Sequence, residues 1–592
     1  SHARGTPFQI FEAQVVGSRP PGLSVAIVPI EGTNGAGYEL TLMGNTGKTV
    51  GPIRGDVEVK TDIPGEENID VMDILLDSSI HFITTRHEQG AAFMAEVYGR
   101  LTGNPAGCLG TLGPGAANLI TGVADANMDR SPILVLTGQG DSQRLHKESH
   151  QIMDVVGMFK PVTKWGQTIR HPNNIPEVVR KAVRLARSEK PGACLIELPE
   201  DIARLDATQP PVPVRRFRRP VPDDTIVDRA WELIRDAKRP LILAGNGTIR
   251  KRASAQLRQF VESTGIGEVT TFMAKGCIDM DDARCLYTIG LQARDHASCA
   301  LDASDLVITL GYDMVEYHPR LWNADVPHRI VHIDFIPAEI DDHYQIDVEV
   351  VGDLAHTLWM LNQRAHADGP ERLDYDHGRA RRAREEMQAD LEEHKDDDTE
   401  GVIKPQKALW DVRQVLGPHD ILLSDVGAHK MWVARHYHCH EPNTCLIPNG
   451  FCSMGFALPG AIGAQLVYPD RRVLAVCGDG GFLMNVQEME TACRLHSNVV
   501  VMVWEDHAYG LIAWKQQNHF GRHTELSFGN PDFMKLAEAF GWHGHRCERS
   551  VDLRDTLEQA FTETGPSLVV IPIDYAENQK LTERLGNIVC PI

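Results

Sequence analysis

The chain has 592 residues, 42% hydrophobic and 24% charged, the balance of a folded globular protein rather than a disordered or fibrous one. That length exceeds what one core can serve and points to about three domains. A net charge of −22, from 59 basic and 81 acidic residues, argues against nucleic acid or an anionic membrane as a general partner.

Residues 1–61 are rich in Gly and Thr, with short β-like pieces such as Tyr38–Leu42, and stay unassigned. Gly44–Thr49, GNTGKT, imitates a phosphate loop. Position 42 is Leu where the loop requires a glycine, so a hairpin turn is the reading. From Ile63 the pattern turns to alternating strands and helices, giving a first domain over 62–205. Its expected elements are a strand Ile80–Thr84, a helix Gln89–Leu101, a strand Ala106–Thr111 ending in Gly113-Pro114-Gly115, a helix Ala116–Met128, and strands Ile133–Thr137 and Leu195–Leu198. Gln209–Asp224, dense in Pro and Arg, reads as a linker. A second α/β domain over 225–360 carries strands at Pro240–Gly245, Leu306–Gly311 and Ile330–Asp334. Asp374–Asp398, charged with few apolar positions, reads as a solvated helix or connector. A third domain over 404–575 follows, then a tail over 576–592. The fold class is therefore α/β, with three doubly wound parallel-sheet domains.

Twelve cysteines lie scattered without a spacing framework, and Cys108, Cys194 and Cys477 sit inside apolar runs. Free thiols in a reducing compartment are the simplest reading. No apolar run approaches the roughly 18 residues of a membrane span. The opening residues lack a basic-then-apolar leader pattern, so the cytoplasm is the expected location.

The stretch 473–510 carries the chemistry. A β-branched run, Arg472–Cys477, meets Gly478-Asp479-Gly480-Gly481. A helical stretch, Phe482–His496, follows, and a second run, Val499–Trp504, ends in Glu505-Asp506. Strand, glycine turn, helix and parallel strand place Asp479 and Asp506 side by side at the carboxyl ends of their strands, where open α/β sheets bind ligands. Hard oxygens beside exposed amides suit Mg²⁺ carrying a diphosphate.

A Gly-Asp-Gly triplet followed at a fixed spacing by Asn or Asp resembles the thiamine-diphosphate (ThDP) signature. RHEQGAAFMAEVYGRLTG (86–103) followed by TLGPGAANLITGVADAN (111–127) resembles the N-terminal domain of acetolactate synthases. The resemblance runs from Ile63 to about Asp574. Met314–Pro319 and Val331–Asp334 look like the middle domain of the catabolic, FAD-independent type. Gly311 is followed by Tyr312-Asp313, not the Arg-rich segment of the flavin-dependent type, so FAD is not expected.

The resemblance implies roles for named residues. Asp479, Asp506 and the Ala508 carbonyl hold Mg²⁺. Gly427, Ala428, His429, Gly478, Gly480, Gly481, Tyr509 and Gly510 flank the diphosphate. Gly450 and Met454 belong to the loop whose methionine wedges between the cofactor rings. Glu88 contacts N1′ of the aminopyrimidine, with Gly65 nearby on a loop before it. Gln139 and Gln151 are candidate catalytic residues facing the reacting carbon, with His150 and Lys515 as weaker substrate candidates. At Lys515 the related enzymes carry Trp or Gln, and a lysine could bind a carboxylate, phosphate or sulfonate. Because Glu88 and Asp479 lie on different domains, the family pattern implies a homodimer or homotetramer with active sites at the subunit interface.

The implied activity is decarboxylation of a small-molecule 2-keto acid, pyruvate, and joining of the two-carbon remainder to a second pyruvate, giving 2-acetolactate. Two readings stay open beside it: a ThDP-dependent lyase or acyltransferase on another substrate, and a non-catalytic ThDP-binding paralogue. His436-Tyr437-His438-Cys439-His440 with Cys445 imitates a zinc site. Alternation along an extended run sends its neighbours to opposite faces, so no zinc site is expected.

Overall fold

The structure is a computed structural model that describes residues 10–16, 24–29, 38–43, 56–61, 71, 74–75, 77–214, 218–250, 252–290, 296–325 and 327–579. Two compact units result, Ser1–Asp73 and Ile74–Ile592. In the first, strands β1 (Ile10–Val16) and β4 (Asp56–Thr61) pair antiparallel, as do β2 (Ser24–Pro29) and β3 (Tyr38–Met43). The segment left unassigned from its sequence thus contributes two antiparallel ribbons. The GNTGKT turn and Gly65 lie outside the described residues.

The second unit holds three parallel sheets flanked by helices, the α/β class expected. The first sheet joins β5 (Ala106–Gly110), β6 (Ile133–Gln139), β7 (Trp165–Thr168) and β8 (Ala193–Pro199) in the order β5-β6-β8-β7. The expected strand Ile80–Thr84 does not form: the segment has no sheet partner among the described residues, and Ile80 and Phe82 are 63% and 42% exposed. A β-branched composition alone does not make a strand when no neighbour supplies hydrogen bonds.

The central sheet runs β11-β10-β9-β12-β13-β14, from β9 (Pro240–Ala244), β10 (Gly267–Thr270), β11 (Cys285–Thr288), β12 (Leu306–Leu310), β13 (Arg329–Asp334) and β14 (Val348–Val351). That is the 3-2-1-4-5-6 order of dinucleotide-binding sheets, whose switch point lies between β9 and β12. The charge-rich stretch after it forms a helix, Gly378–Glu392. It is not simply solvated, because Ala383, Met387 and Leu391 bury one stripe at i, i+4, i+8.

The third sheet runs β16-β15-β17-β18-β20-β19, from β15 (Ile421–Ser424), β16 (Cys445–Leu446), β17 (Val473–Gly478), β18 (Val500–Glu505), β19 (His543–Arg546) and β20 (Ser567–Pro572). Strands β17 and β18 read VLAVCG and VVMVWE and are buried almost throughout, the pattern of strands covered on both faces.

Three separate cores do not result. Helix α1 (Glu88–Thr102) is apolar on two faces. Ala92 and Ala95 pack on the first sheet, while Phe93, Met94, Val97 and Leu101 enter the core of the third sheet. There α1 meets helix α2 (Ala457–Val467), where a Cβ on Gly463 would stand 2.9 Å from the Met94 carbonyl oxygen. Small residues let the two backbones approach, and this contact fixes the first domain against the third.

Among the described residues ten cysteines are free thiols, as expected, but Cys299 is disulfide-bonded. Among the described residues no helix is long and apolar enough to cross a membrane.

Candidate active site

Register brings the two acids together. Gly478 on β17 pairs with Trp504 on β18, so Asp479 and Asp506 leave the sheet at one edge. Asp479 is 1% exposed and opens a short helix, Asp479–Met484. Its Oδ1 accepts the Gly480 N–H at 2.8 Å, and its Oδ2 accepts the N–H groups of His507 (2.7 Å) and Asp506 (3.2 Å). A third donor reaches Oδ2 from far along the chain: the Asn530 side-chain amide, at 2.8 Å. Burial, and then the charge of Asp479, push the Asp506 carboxyl up to about 8. Two partly desolvated carboxylates in contact are an electrostatic cost that a divalent cation removes.

The surroundings keep side chains away from this edge. A Cβ on Gly481 would fall 2.9 Å from Asp425 Oδ2, and one on Gly480 would fall 3.0 Å from the Tyr509 ring. Tyr509 stacks edge-on with Phe528, ring centroids 5.0 Å apart, and roofs Gly480. Ala508 pairs with Ser527, so the 506–510 and 526–530 loops run together over the acids. Gly510 opens an exposed helix, Gly510–Phe520, and a side chain there would strike Asp506 Oδ2.

His429 sits across from this edge. Gly427 and Ala428 open the helix Ala428–His436, and the His429 ring lies against Gly427 and Gly478. Burial pushes its imidazole down to about 3, and its Nε2 is buried without a partner. An anion at Nε2 would reverse that cost by favouring the protonated ring.

The loop 449–456 is held by all three domains. Asp129 accepts the N–H groups of Asn449 and Gly450, and Asp125 accepts that of Ser453. The Asn449 amide donates to the Glu316 carbonyl of the central domain at 2.8 Å. Beside Met454, the Gly455 N–H donates to Asp425, while the Gly455 carbonyl accepts the Asn485 amide at 2.7 Å. Met454 is half-buried on this pinned loop. Burial pushes Asp425 up to about 7.

Glu88 is the first residue of α1, capped by His87, whose Nδ1 accepts the Gln89 N–H. Its Oε2 accepts the Asn118 amide at 3.0 Å, and its Oε1 lies 3.3 Å from where a Cβ on Gly115 would stand. Glu488, fully buried, accepts the backbone N–H groups of Arg86 and His87 and so fixes the turn before Glu88.

The remaining candidates are placed as follows. Gln139 is 3% exposed, and its amide is taken up within the protein. Nε2 donates to the Met153 carbonyl and to Glu197, each at 2.9 Å, and Oε1 accepts the Gly140 N–H. Gln151 is exposed with φ 57°, its Cβ close against Gly113 of the Gly-Pro-Gly turn. His150 and Lys515 are exposed. Asn118, Asp425, Asn485, Glu488 and Asn530 were not singled out from the sequence. Each acts through a partner distant in the chain, which no local pattern marks.

ThDP with Mg²⁺ fits these residues. The hard-oxygen pair Asp479–Asp506 suits Mg²⁺. The glycine-bared edge and the unpartnered His429 Nε2 suit a diphosphate.

The three parallel-sheet domains correspond to known ones. Residues 56–158 match the N-terminal TPP binding domain of thiamine pyrophosphate enzymes, 227–361 their central domain, and 425–571 their C-terminal TPP binding domain. The chain is 37% identical over 534 residues to a catabolic acetolactate synthase of Raoultella terrigena, covering 88% of this chain and 93% of the relative. It is 34% identical over 539 residues to acetolactate synthase of Bacillus subtilis, covering 89% and 93%. A probable acetolactate synthase large subunit of Methanocaldococcus jannaschii is 34% identical over 554 residues, covering 89% and 92%. Sequence, fold and site thus agree that the chain belongs to the thiamine pyrophosphate enzymes, within the acetolactate synthase family.

Proposed function

We propose that the protein decarboxylates pyruvate and joins the two-carbon remainder to a second pyruvate, releasing one CO₂ per 2-acetolactate. The observation that carries this reading is the Asp479–Asp506 pair beside the glycine-bared edge. Asp479, Asp506 and the Ala508 carbonyl are assigned to Mg²⁺, and His429 with the backbone at Gly427, Gly478 and Gly480 to the diphosphate. When bound, ThDP supplies the electron sink that stabilises the carbanion left by CO₂ loss.

The chain's own residues position and switch that group. Glu88 is assigned to the pyrimidine nitrogen, where a carboxylate favours the tautomer able to take up a proton. Asn118 fixes the Glu88 carboxylate through Oε2, and Glu488 fixes the turn that presents it. Met454 is held on its loop by Asp425 and Asn485, which suits a wedge that must not yield.

A homodimer or larger homo-oligomer completing the site between protomers belongs to the same reading. Apolar residues stay exposed next to both halves of the site: Ile80 and Phe82 precede Glu88, while Ile512 (46%) and Phe520 (67%) follow Asp506. A second protomer covering them would remove that exposure.

We further propose that no flavin is used. At the switch point of the central sheet, the half-buried Glu316 carboxyl accepts the Asn246 N–H, where a dinucleotide phosphate would need donors. Gly245 and Gly247 also pack directly on the Gly311 backbone, leaving no gap there. The free thiols support a cytoplasmic location, and the Cys299 disulfide weighs against it.

Incubation with pyruvate, ThDP and Mg²⁺ tests the reading. CO₂ and 2-acetolactate in equal amounts, lost when ThDP is omitted, are expected. CO₂ with acetaldehyde alone would refute the joining step.

A further inference from the structure

In the run 436–440 His436 closes the helix Ala428–His436 and burial alternates from there on, but the fold uses that alternation differently from the sequence reading. Tyr437 and Cys439 are buried, while His436, His438 and His440 line one cavity of about 680 Å³ together with Asp279 and Asp281. The two segments face each other through their middle residues. The Met280 N–H donates to the Cys439 carbonyl at 3.0 Å, and the Cys439 N–H donates to Met280 Sδ at 3.1 Å. The flanking residues of the two segments meet on one side of that contact. His440 Nδ1 stands 3.0 Å from Asp279 Oδ1 and 3.6 Å from Asp281 Oδ2, and His438 Nδ1 stands 3.6 Å from Asp281 Oδ1. Ligand atoms of Asp279, Asp281 and His440 all lie within 4.8 Å of one another. A separate observation concerns the same cavity: His436, which also lines it, has its Nδ1 buried without a partner.

We propose that Asp279, Asp281 and His440, joined by His438 from beside Asp281, form a second metal site, apart from the Asp479–Asp506 pair, that takes a zinc-class divalent cation. Two carboxylate oxygens and two imidazole nitrogens suit Zn²⁺ or Co²⁺ rather than Mg²⁺ or Ca²⁺. The competing arrangement is a metal-free set of histidine–aspartate pairs, which at this exposure contributes little. Arg384 and Arg413 line the cavity, but their guanidiniums are turned onto the Met280 and His438 carbonyls. Because the aspartates precede β11 and the histidines precede β16, a bound cation would tie the central sheet to the third. No part of the site depends on ThDP.

The test is a Co²⁺ titration of the full chain in excess Mg²⁺ and ThDP, which keeps the Asp479–Asp506 pair occupied. One equivalent should give a visible absorption band of four-coordinate cobalt, displaced by Zn²⁺. Asp279→Asn with His440→Gln should weaken binding by more than the roughly 100-fold that loss of even an outer partner can cost, with ThDP binding unchanged. Absence of the band in the unaltered protein would overturn the proposal whatever the variant does. Equal cobalt affinity in a folded variant would overturn it as well.

Discussion

Asn530→Ala tests how the third sheet positions Asp479, the acid proposed to hold Mg²⁺. The Asn530 amide donates to Asp479 Oδ2 at 2.8 Å, beside two backbone donors to the same oxygen. A hydrogen bond to a charged group contributes about 1.5–3 kcal/mol. The remaining donors and the partial exposure of Asn530 favour the lower end, about 1.5 kcal/mol, or roughly tenfold in affinity. Stability should respond differently. Asn530 Oδ1 is buried without a partner, so truncation also removes an unsatisfied acceptor and offsets much of the loss. The expected result is a Mg²⁺ dissociation constant about tenfold weaker by calorimetry with ThDP present, at a nearly unchanged melting temperature. Asn530→Asp should be the less stable without metal, since it sets a third carboxylate beside a pair that already repels. An unchanged Mg²⁺ affinity in Asn530→Ala would refute the positioning role. A large fall in melting temperature alone would reduce Asn530 to packing.

Other consequences follow from single contacts. Burial pushes the Glu316 carboxyl from 4.5 up to about 7. The folded state therefore holds the extra proton, and this contribution is complete below about 4.5 and lost as pH rises through 7. Glu316→Gln should flatten the fall in stability across that window by up to ~3 kcal/mol, and parallel denaturation midpoints at pH 5 and 8 would contradict it. Gly463→Val should destabilise by about 1–3 kcal/mol, because the α1 backbone it meets cannot yield; an unchanged unfolding midpoint would show otherwise. Lys515, exposed on a helix with no buried residue, should tolerate Gln within about twofold in kcat/KM for pyruvate. A loss confined to phosphorylated or sulfonated 2-keto acids would instead favour another substrate class.

The site was legible where chemistry and local pattern coincide. Strand, glycine turn, helix and strand fix where Asp479 and Asp506 leave the sheet, because parallel register carries both to one edge. Asn530 was not legible, since it reaches Asp479 across 51 positions through a loop without regular structure. Asn118 reaches Glu88 across 30 positions and lay unmarked inside a quoted motif. The strand expected at Ile80–Thr84 failed because composition cannot say whether a sheet neighbour exists. The helical stretch expected over Phe482–His496 is broken at Asn485, whose amide turns to the Gly455 carbonyl. For the 436–440 run, alternation was read along one extended segment, whereas His436 closes a helix and only the burial alternates after it. The opposing Asp279–Asp281 step, about 160 residues away, could not be seen.

The most direct measurement is turnover of pyruvate by Glu88→Gln at saturating ThDP and Mg²⁺. The amide keeps the side chain's size and its place beside Asn118 but removes the charge proposed to set the cofactor's tautomer. Cofactor binding should persist while kcat/KM falls by about 10²–10⁴. Retention of full activity by this variant would contradict the assignment on which the catalytic reading rests.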